Sequence, residues 1–178
     1  MIKKIFIALA VMIIIFVAVV AMRPNEFRIS RSAIISAPAS AVFENVNDFH
    51  NWEAWSPWAK LDPNAKNTFE GPSSGEGAIF RWAGNNKIGE GSNTIIKSRP
   101  NELIKIKLEF LKPFAATNTA EFTFEAQGEQ TLVTWSMYGK NNFMSKAIGL
   151  IMDCDKMVGD QFEKGLANLK SIVEKIHQ

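Results

Sequence analysis

An unbroken run of eighteen uncharged and mostly apolar residues near the N-terminus, Ile5 to Met22, constrains this chain more than any other feature. At about 1.5 Å of rise per residue, a helix of that length covers about 27 Å, close to the hydrocarbon thickness of a bilayer. A helix buried in a globular core normally has one polar face, and this run has none. The run therefore predicts a membrane segment.

Two readings of this segment stay open. A cleaved signal peptide has an apolar stretch of about 7–15 residues and a small-residue cleavage site, which Val19-Val20-Ala21 could supply. The run is longer than that, so we predict that residues 1–23 are a retained single-pass anchor in the cell membrane. Lys3 and Lys4 favour a cytoplasmic N-terminus, which would place residues 24–178 on the extracytoplasmic side, although Arg23 weakens the asymmetry.

Charge and cysteine content exclude several classes of function for the remaining residues. Lys3, Lys4 and Arg23 are three of the 20 basic residues, which leaves 17 against 18 acidic ones. Without a basic cluster, nucleic acid is not an expected partner. Cys154 is the only cysteine and the chain has two histidines, so we expect no intrachain disulfide, no metal site and no cofactor. Its apolar surroundings predict that Cys154 is a small core residue.

The polar and apolar pattern of residues 24–178 predicts an α+β domain. A strand (27–35) and a short helix opened by Pro38 (39–46) precede an irregular aromatic segment. Alternation then predicts further strands, which lie near 78–82, 91–97, 103–111, 120–126 and 131–138. Intervals of three and four from Val158 to Ile176 predict a long amphipathic helix, and the apolar stretch before it, 144–157, also reads as helical.

This order resembles the helix-grip superfamily of START-like proteins, which includes polyketide cyclases/dehydrases and lipid-transport proteins. The segments that carry the likeness are Ser36-Ala37-Pro38, Trp52 with Trp55-Ser56-Pro57-Trp58, Gly75-Glu76-Gly77-Ala78, Gly89-Glu90-Gly91, and Val133-Thr134-Trp135-Ser136-Met137. The chain looks most like a bacterial branch with one N-terminal membrane segment. The resemblance implies a curved antiparallel sheet of six or seven strands around the C-terminal helix, with a cavity between them. It carries no catalytic motif.

Aromatic residues and methionine on the predicted strands and helix are the candidate walls of that cavity. The candidate ligand-contacting residues are Trp52, Trp55, Trp58, Trp82, Phe110, Phe122, Phe124, Trp135, Met137 and Phe162. Filling a core is the competing role for each of them. Gly159, Gly165 and Ala167 on the helix would let the sheet approach or leave room for a guest. The three tryptophans between 52 and 58 would plug one end of the sheet, gate the cavity, or contact the membrane.

The sequence assigns no catalytic residue. His50 could serve as a base, but a role in bracing its loop is more typical. Tyr138, Arg81 and Glu70 would reach a cavity only if their strands pointed them inward. Three hypotheses follow: a membrane-anchored module that binds a hydrophobic or lipid-like molecule, which we favour; a cyclase or dehydratase using the same cavity; and an accessory protein of a membrane complex. Whether the chain is an enzyme, and its oligomeric state, stay open.

Overall fold

The computed structural model describes residues 2–176 and consists of one seven-stranded sheet with five helices. Pro38 precedes α2, as its fixed φ favours at a helix start. A 3-10 turn (Phe49–Asn51) leads into the single-turn helix α3. The elements in chain order are α1 (Ile2–Met22), β1 (Glu26–Ile35), α2 (Ala39–Asn47), α3 (Trp52–Trp55), β2 (Lys66–Glu70), β3 (Ile79–Ala83), β4 (Glu90–Arg99), β5 (Leu103–Lys112), β6 (Ala116–Gln127), β7 (Gln130–Lys140), α4 (Phe143–Ile148) and α5 (Cys154–Ile176).

All neighbouring strands are antiparallel, in the order β1-β7-β6-β5-β4-β3-β2. Successive strands are therefore hairpin neighbours, except that β1 joins the far side of β7. The register shifts between Glu90 and Gly91 and again between Ile95 and Lys97, and such bulges increase the local twist of a sheet. The predicted α+β helix-grip fold, with a curved antiparallel sheet and a long C-terminal helix, is confirmed.

The core forms where the inward faces of the strands meet α2 and α5. Strand alternation brings side chains such as Ile104, Ile106 and Phe122 to the inner face, and all three are fully buried. The same periodicity that predicted α5 from sequence buries its inner face through Phe162, Leu166, Leu169 and Val173. Burying each of these side chains stabilises the fold by about 1.5–3 kcal/mol.

Helix α1 is the one helix of the described chain long and apolar enough to cross a membrane, a property shared by retained anchors and signal sequences. Nearly all of its side chains are exposed, but Val20 is completely buried. The end of α1 is tied to the segment after α4, because the Arg23 guanidinium donates a hydrogen bond to the Gly149 carbonyl oxygen.

Three local expectations differ from the structure. Strand β2 was not expected, since all five of its residues are exposed and give no alternating pattern. The stretch 144–157 is not one helix, because α4 ends at Ile148 and α5 begins at Cys154. Cys154 is exposed and is not a core residue, because it lies at the outer start of α5.

Candidate functional site

A cavity of about 700 Å³ lies between α5, α3 with its following loop, and the inner face of β2–β7. Its volume is within the range of about 300–1,000 Å³ typical of small-molecule sites. Its apolar lining comes from β2, β3, β5, β6 and β7, from the α3 region and the loops beside it, and from the first half of α5, whereas β4 contributes Asn93. The apolar and aromatic lining residues are Phe49, Trp52, Trp58, Ala59, Pro63, Ala65, Phe69, Phe80, Trp82, Ile88, Leu108, Phe110, Ala120, Trp135, Met137, Val158 and Phe162.

One wall of the cavity is a row of aromatic rings on β2, β3 and β5. Phe69 pairs with Phe80 across the two strands, and their rings stack at 5.3 Å between centroids. Phe80 stacks in turn on Trp82 at 6.0 Å, and Trp82 meets Phe110 edge to face at 6.1 Å. Gly91 makes this possible, since a Cβ at that position would lie 2.4 Å from the Trp82 ring. The wall presents ring surface with few polar atoms.

The opposite wall is built around Trp135 on β7. Its ring stacks on Phe162 of α5 at 4.2 Å and on Phe122 of β6 at 4.8 Å, while Trp58 packs edge to face at 5.6 Å. Among the described residues, the buried indole nitrogen Nε1 of Trp135 is the one buried side-chain polar atom with no hydrogen-bond partner. A buried donor left unpaired costs about 1–3 kcal/mol.

Most polar lining residues come from α3 and the loop after it, β2 and the β3–β4 turn, and the buried Asn93 of β4 is a further one. Glu53, Lys60, Asn67 and Lys87 line the cavity here, and within residues 2–176 their side chains form no ion pair or hydrogen bond. Asp62 differs from them, because its carboxylate accepts hydrogen bonds from the backbone N–H groups of Asn64 at 3.0 Å and Asn85 at 2.6 Å. Asp62 thereby fastens the loop after α3 to the β3–β4 turn.

The structure divides the predicted ligand-contacting residues into two groups. Seven of them line the cavity: Trp52, Trp58, Trp82, Phe110, Trp135, Met137 and Phe162. The other three, Trp55, Phe122 and Phe124, are not among the lining residues and lie in the core at 0%, 0% and 4% exposure. Sequence reasoning missed Phe69 and Phe80; Phe69 belongs to the unexpected strand β2.

The glycines of α5 and the tryptophans between 52 and 58 were expected to shape the interior. Gly165 accommodates Trp135 and Gly159 accommodates Arg31, since a Cβ would lie 2.7 Å and 2.1 Å from their side chains, so neither glycine leaves room for a guest. Trp55 acts as a plug, donating from Nε1 to the Asn45 carbonyl oxygen, whereas Trp52 and Trp58 border the cavity.

The ionisable residues considered from sequence lie away from the cavity. His50 bonds to the Asp48 carboxylate at 2.7 Å and stacks on Phe69 at 4.1 Å, so it braces its loop. Arg81 pairs with Glu70 at 2.9 Å, and the Tyr138 hydroxyl bonds to Glu121 at 3.2 Å. No cluster of potential metal ligands is found within residues 2–176.

Glu121, a carboxylate with a lowered pKa, belongs to the outer face of the sheet. Burial raises the pKa of Glu121, but hydrogen bonds from Lys105 and Arg28 outweigh burial and leave that pKa below its usual value. The nitrogen atoms of both cations lie 3.0 Å from the carboxylate oxygens. This network links side chains of β1, β5 and β6 across the outer face of the sheet and takes no part in the cavity.

A curved antiparallel sheet that holds a long C-terminal helix over an apolar cavity defines the helix-grip class of START-like proteins. Residues 26–174 match the profile of the family described as "Polyketide cyclase / dehydrase and lipid transport". The match covers well over half of the chain, so the chain belongs to this family. No curated protein matches the chain by sequence at a significant level.

Solved structures show the same fold at low sequence identity. A protein of unknown function from Staphylococcus aureus superposes with a TM-score of 0.65 at 12% identity, covering 86% of this chain and 97% of that one. The Aha1 dimer from Colwellia psychrerythraea gives 0.59 at 16% identity, covering 83% and 96%. The di-domain ARO/CYC StfQ from the steffimycin biosynthetic pathway gives 0.61 at 11% identity, covering 86% of this chain and 52% of StfQ.

Proposed function

We propose that this protein is a membrane-anchored binding module that receives a hydrophobic or lipid-like small molecule in its internal cavity. The observation that carries the proposal is the cavity of about 700 Å³ with aromatic walls on both sides. Burying an apolar guest there gains about 25 cal/mol for each Å² of apolar surface removed from water. The polar residues Glu53, Lys60 and Lys87 leave one region suited to a polar end group.

The unpartnered indole N–H of Trp135 adds a second requirement for the guest. Trp135 borders the cavity and is 2% exposed, so bulk water does not satisfy its Nε1 donor. A guest that carries a hydrogen-bond acceptor, such as a carbonyl or ester oxygen, would supply that partner. An amphipathic molecule with both apolar surface and an acceptor fits better than a pure hydrocarbon.

Binding fits the cavity better than catalysis. A cyclase or dehydratase needs an acid or base placed against the reacting atoms. His50, Tyr138 and Arg81 make their contacts elsewhere, and the ionisable lining residues Glu53, Lys60, Asp62 and Lys87 come from α3, the loop after it and the β3–β4 turn. Asp62 is already engaged by two backbone donors.

The anchor is the second part of the proposal. A retained helix has reason to pack against the domain that it carries, whereas a cleaved signal has none. Val20 is fully buried, Arg23 bonds to the Gly149 carbonyl, and the Asn141 backbone N–H donates to the Asn25 carbonyl oxygen at 2.8 Å. These contacts tie the end of α1 to the start of the domain. We place the domain beside the membrane, with residues 1–23 as its single span.

The test of binding uses the fragment Pro24–Gln178, produced without detergent. This fragment retains the whole sheet and α5, and every residue of the hydrophobic core cluster lies between Ile29 and Val173, so it contains all that folding of the domain requires. Native mass spectrometry should show a bound molecule, or the fragment should bind 1-aminoanthracene and release it to palmitic acid. A fragment that copurifies with nothing and binds neither probe would contradict the proposal.

A further inference from the structure

Exposed apolar side chains gather on two segments outside the cavity. The first segment is α4 with the residues after it, where Phe143, Met144, Ile151 and Met152 are 44–87% exposed. The second is the tip of the β5–β6 hairpin, where Leu111 is 60% and Phe114 is 65% exposed. We call these six residues the apolar end face. Exposed apolar patches of this kind mark sites of contact with proteins or membranes.

Strand register places both segments at the same end of the sheet. Ala116 of β6 pairs with Phe110 of β5, and two residues further along β6, Asn118 pairs with Gly139 near the end of β7. Lys140, the last residue of β7, pairs with Glu26, the first residue of β1. The hairpin tip, the end of β7 and the start of β1 therefore share one edge, and α4 begins three residues after β7 ends.

Helix α1 enters the domain at this same end. Its last residue, Met22, is four positions before β1, and its Val20 is fully buried. The Arg23 side chain reaches the Gly149 carbonyl, and the Lys146 Nζ of α4 donates to Asn25 Oδ1 at 2.6 Å. The segment that bears Ile151 and Met152 is thus held beside the end of the one described helix able to cross a membrane.

We propose that the apolar end face rests on the surface of the bilayer that α1 crosses, with its side chains in the headgroup region. Lipid is the expected partner of this face because the end of α1, which crosses the bilayer, is tied to α4. These contacts hold the six side chains near the lipid surface. The inference rests on the anchor part of the proposed function and is independent of the cavity ligand. It adds a second attachment that fixes how the domain is oriented.

This orientation also has a consequence for the cavity. Phe110 of β5, Ala120 of β6 and Met137 of β7 line the cavity, and each lies in the half of its strand nearer the apolar end face. The cavity therefore occupies the membrane-side half of the domain. A lipid-like guest would have a short path between the bilayer and the cavity.

The test uses the full chain in phosphatidylcholine nanodiscs, with Cys154→Ser as background because Cys154 is the only cysteine. Spin labels are attached in separate variants at Ile151→Cys and Phe114→Cys. Matched controls are Ile34→Cys and Ile96→Cys, which are 47% and 46% exposed and lie toward the other end of the sheet. Relaxation by oxygen, which enters lipid, is compared with relaxation by a water-soluble nickel chelate; circular dichroism checks folding.

Labels at 151 and 114 should respond more to oxygen and less to nickel than labels at 34 and 96. All four labels responding alike would overturn the proposal while leaving the anchor intact. Shielding of 151 and 114 from both reagents, with a doubled mass for the particle, would assign the face to a second copy of the chain instead. Failure of the chain to remain in nanodiscs would contradict the membrane anchor as well as the position of the apolar end face. Neither this failure nor a uniform response of the four labels would affect cavity binding by the fragment Pro24–Gln178.

Discussion

The indole ring of Trp135 on β7 lies flat against the Phe162 ring of α5, with centroids 4.2 Å apart and planes inclined by 11°. Phe122 on β6 stacks against the same indole at 4.8 Å. This stack joins the C-terminal helix to the centre of the sheet and separates the filled core from the cavity. The position of α5 over the sheet, and hence the shape of the cavity, depends on it.

Replacing Gly165 by Ala should weaken the domain, although alanine favours helices by about 1 kcal/mol over glycine. The new Cβ would lie 2.7 Å from Trp135 Cζ3 and 3.1 Å from Pro57 Cδ, and Trp135 is held in its stack. Overpacking of this kind costs about 1–3 kcal/mol, so we expect a net loss of up to about 2 kcal/mol in urea unfolding of Pro24–Gln178. Ser171→Ala, exposed on the same helix, is the control; a Gly165→Ala variant more stable than the original would show that the contact is not tight.

Replacing Asp62 by Ala should loosen the polar side of the cavity. The backbone N–H groups of Asn64 and Asn85 would lose their carboxylate acceptor, and a hydrogen bond to a charged group contributes about 1.5–3 kcal/mol. We expect faster amide hydrogen exchange around residues 60–65 and 84–88, with little change in the strands β5–β7. Glu76→Ala, at an exposed turn, serves as the comparison. Unchanged exchange at both loops would mean that Asp62 does not fasten them.

Glu121 should contribute to stability at neutral pH and lose that contribution in acid. Its pKa in the folded state is lower than usual, so its stabilising effect is present above the ordinary carboxyl pKa of about 4.3 and is lost as the pH falls through the lower folded value. Glu121→Gln should therefore reduce the free energy of unfolding at pH 7, and the difference should shrink as the pH falls through the acid range. The measurement is urea unfolding of both proteins between neutral and acidic pH, with Glu125→Gln, exposed on the same strand, as control. A difference independent of pH would contradict this role.

Periodicity predicted those parts of the fold in which one face of an element is buried. Helix α5 and strands β5–β7 have such faces, so their positions follow from sequence. Strand β2 buries no residue, so no alternation of buried and exposed positions marks it, although it pairs with β3. The stretch 144–157 is helical only in part, in α4 and from Cys154 onward, and its large apolar side chains such as Ile151 are exposed. Apolar composition by itself does not show whether such a side chain faces the core.

For the candidate site, alternation identified which residues point to the inner face of the sheet. It did not identify which of those residues line the cavity and which fill the core. Ala120, Phe122 and Phe124 all point inward from β6, yet Ala120 lines the cavity whereas Phe122 and Phe124 lie in the filled core. Where the core ends and the cavity begins is decided by how α2, α3 and α5 pack against the sheet. Such long-range packing leaves no local pattern in the sequence.

Probe binding by Ala120→Leu is the measurement that tests the central claim, cavity binding, most directly. Ala120 lines the cavity and Ala126 is exposed on the same strand, so Ala126→Leu adds the same side chain outside the cavity. In the fragment Pro24–Gln178, we expect Ala120→Leu to weaken 1-aminoanthracene binding several-fold and to remove the rise in melting temperature caused by palmitic acid, because ligands of the folded state stabilise it. Ala126→Leu should bind like the original. Equal binding by all three proteins, each folded by circular dichroism, would place the probe outside the cavity and contradict the account.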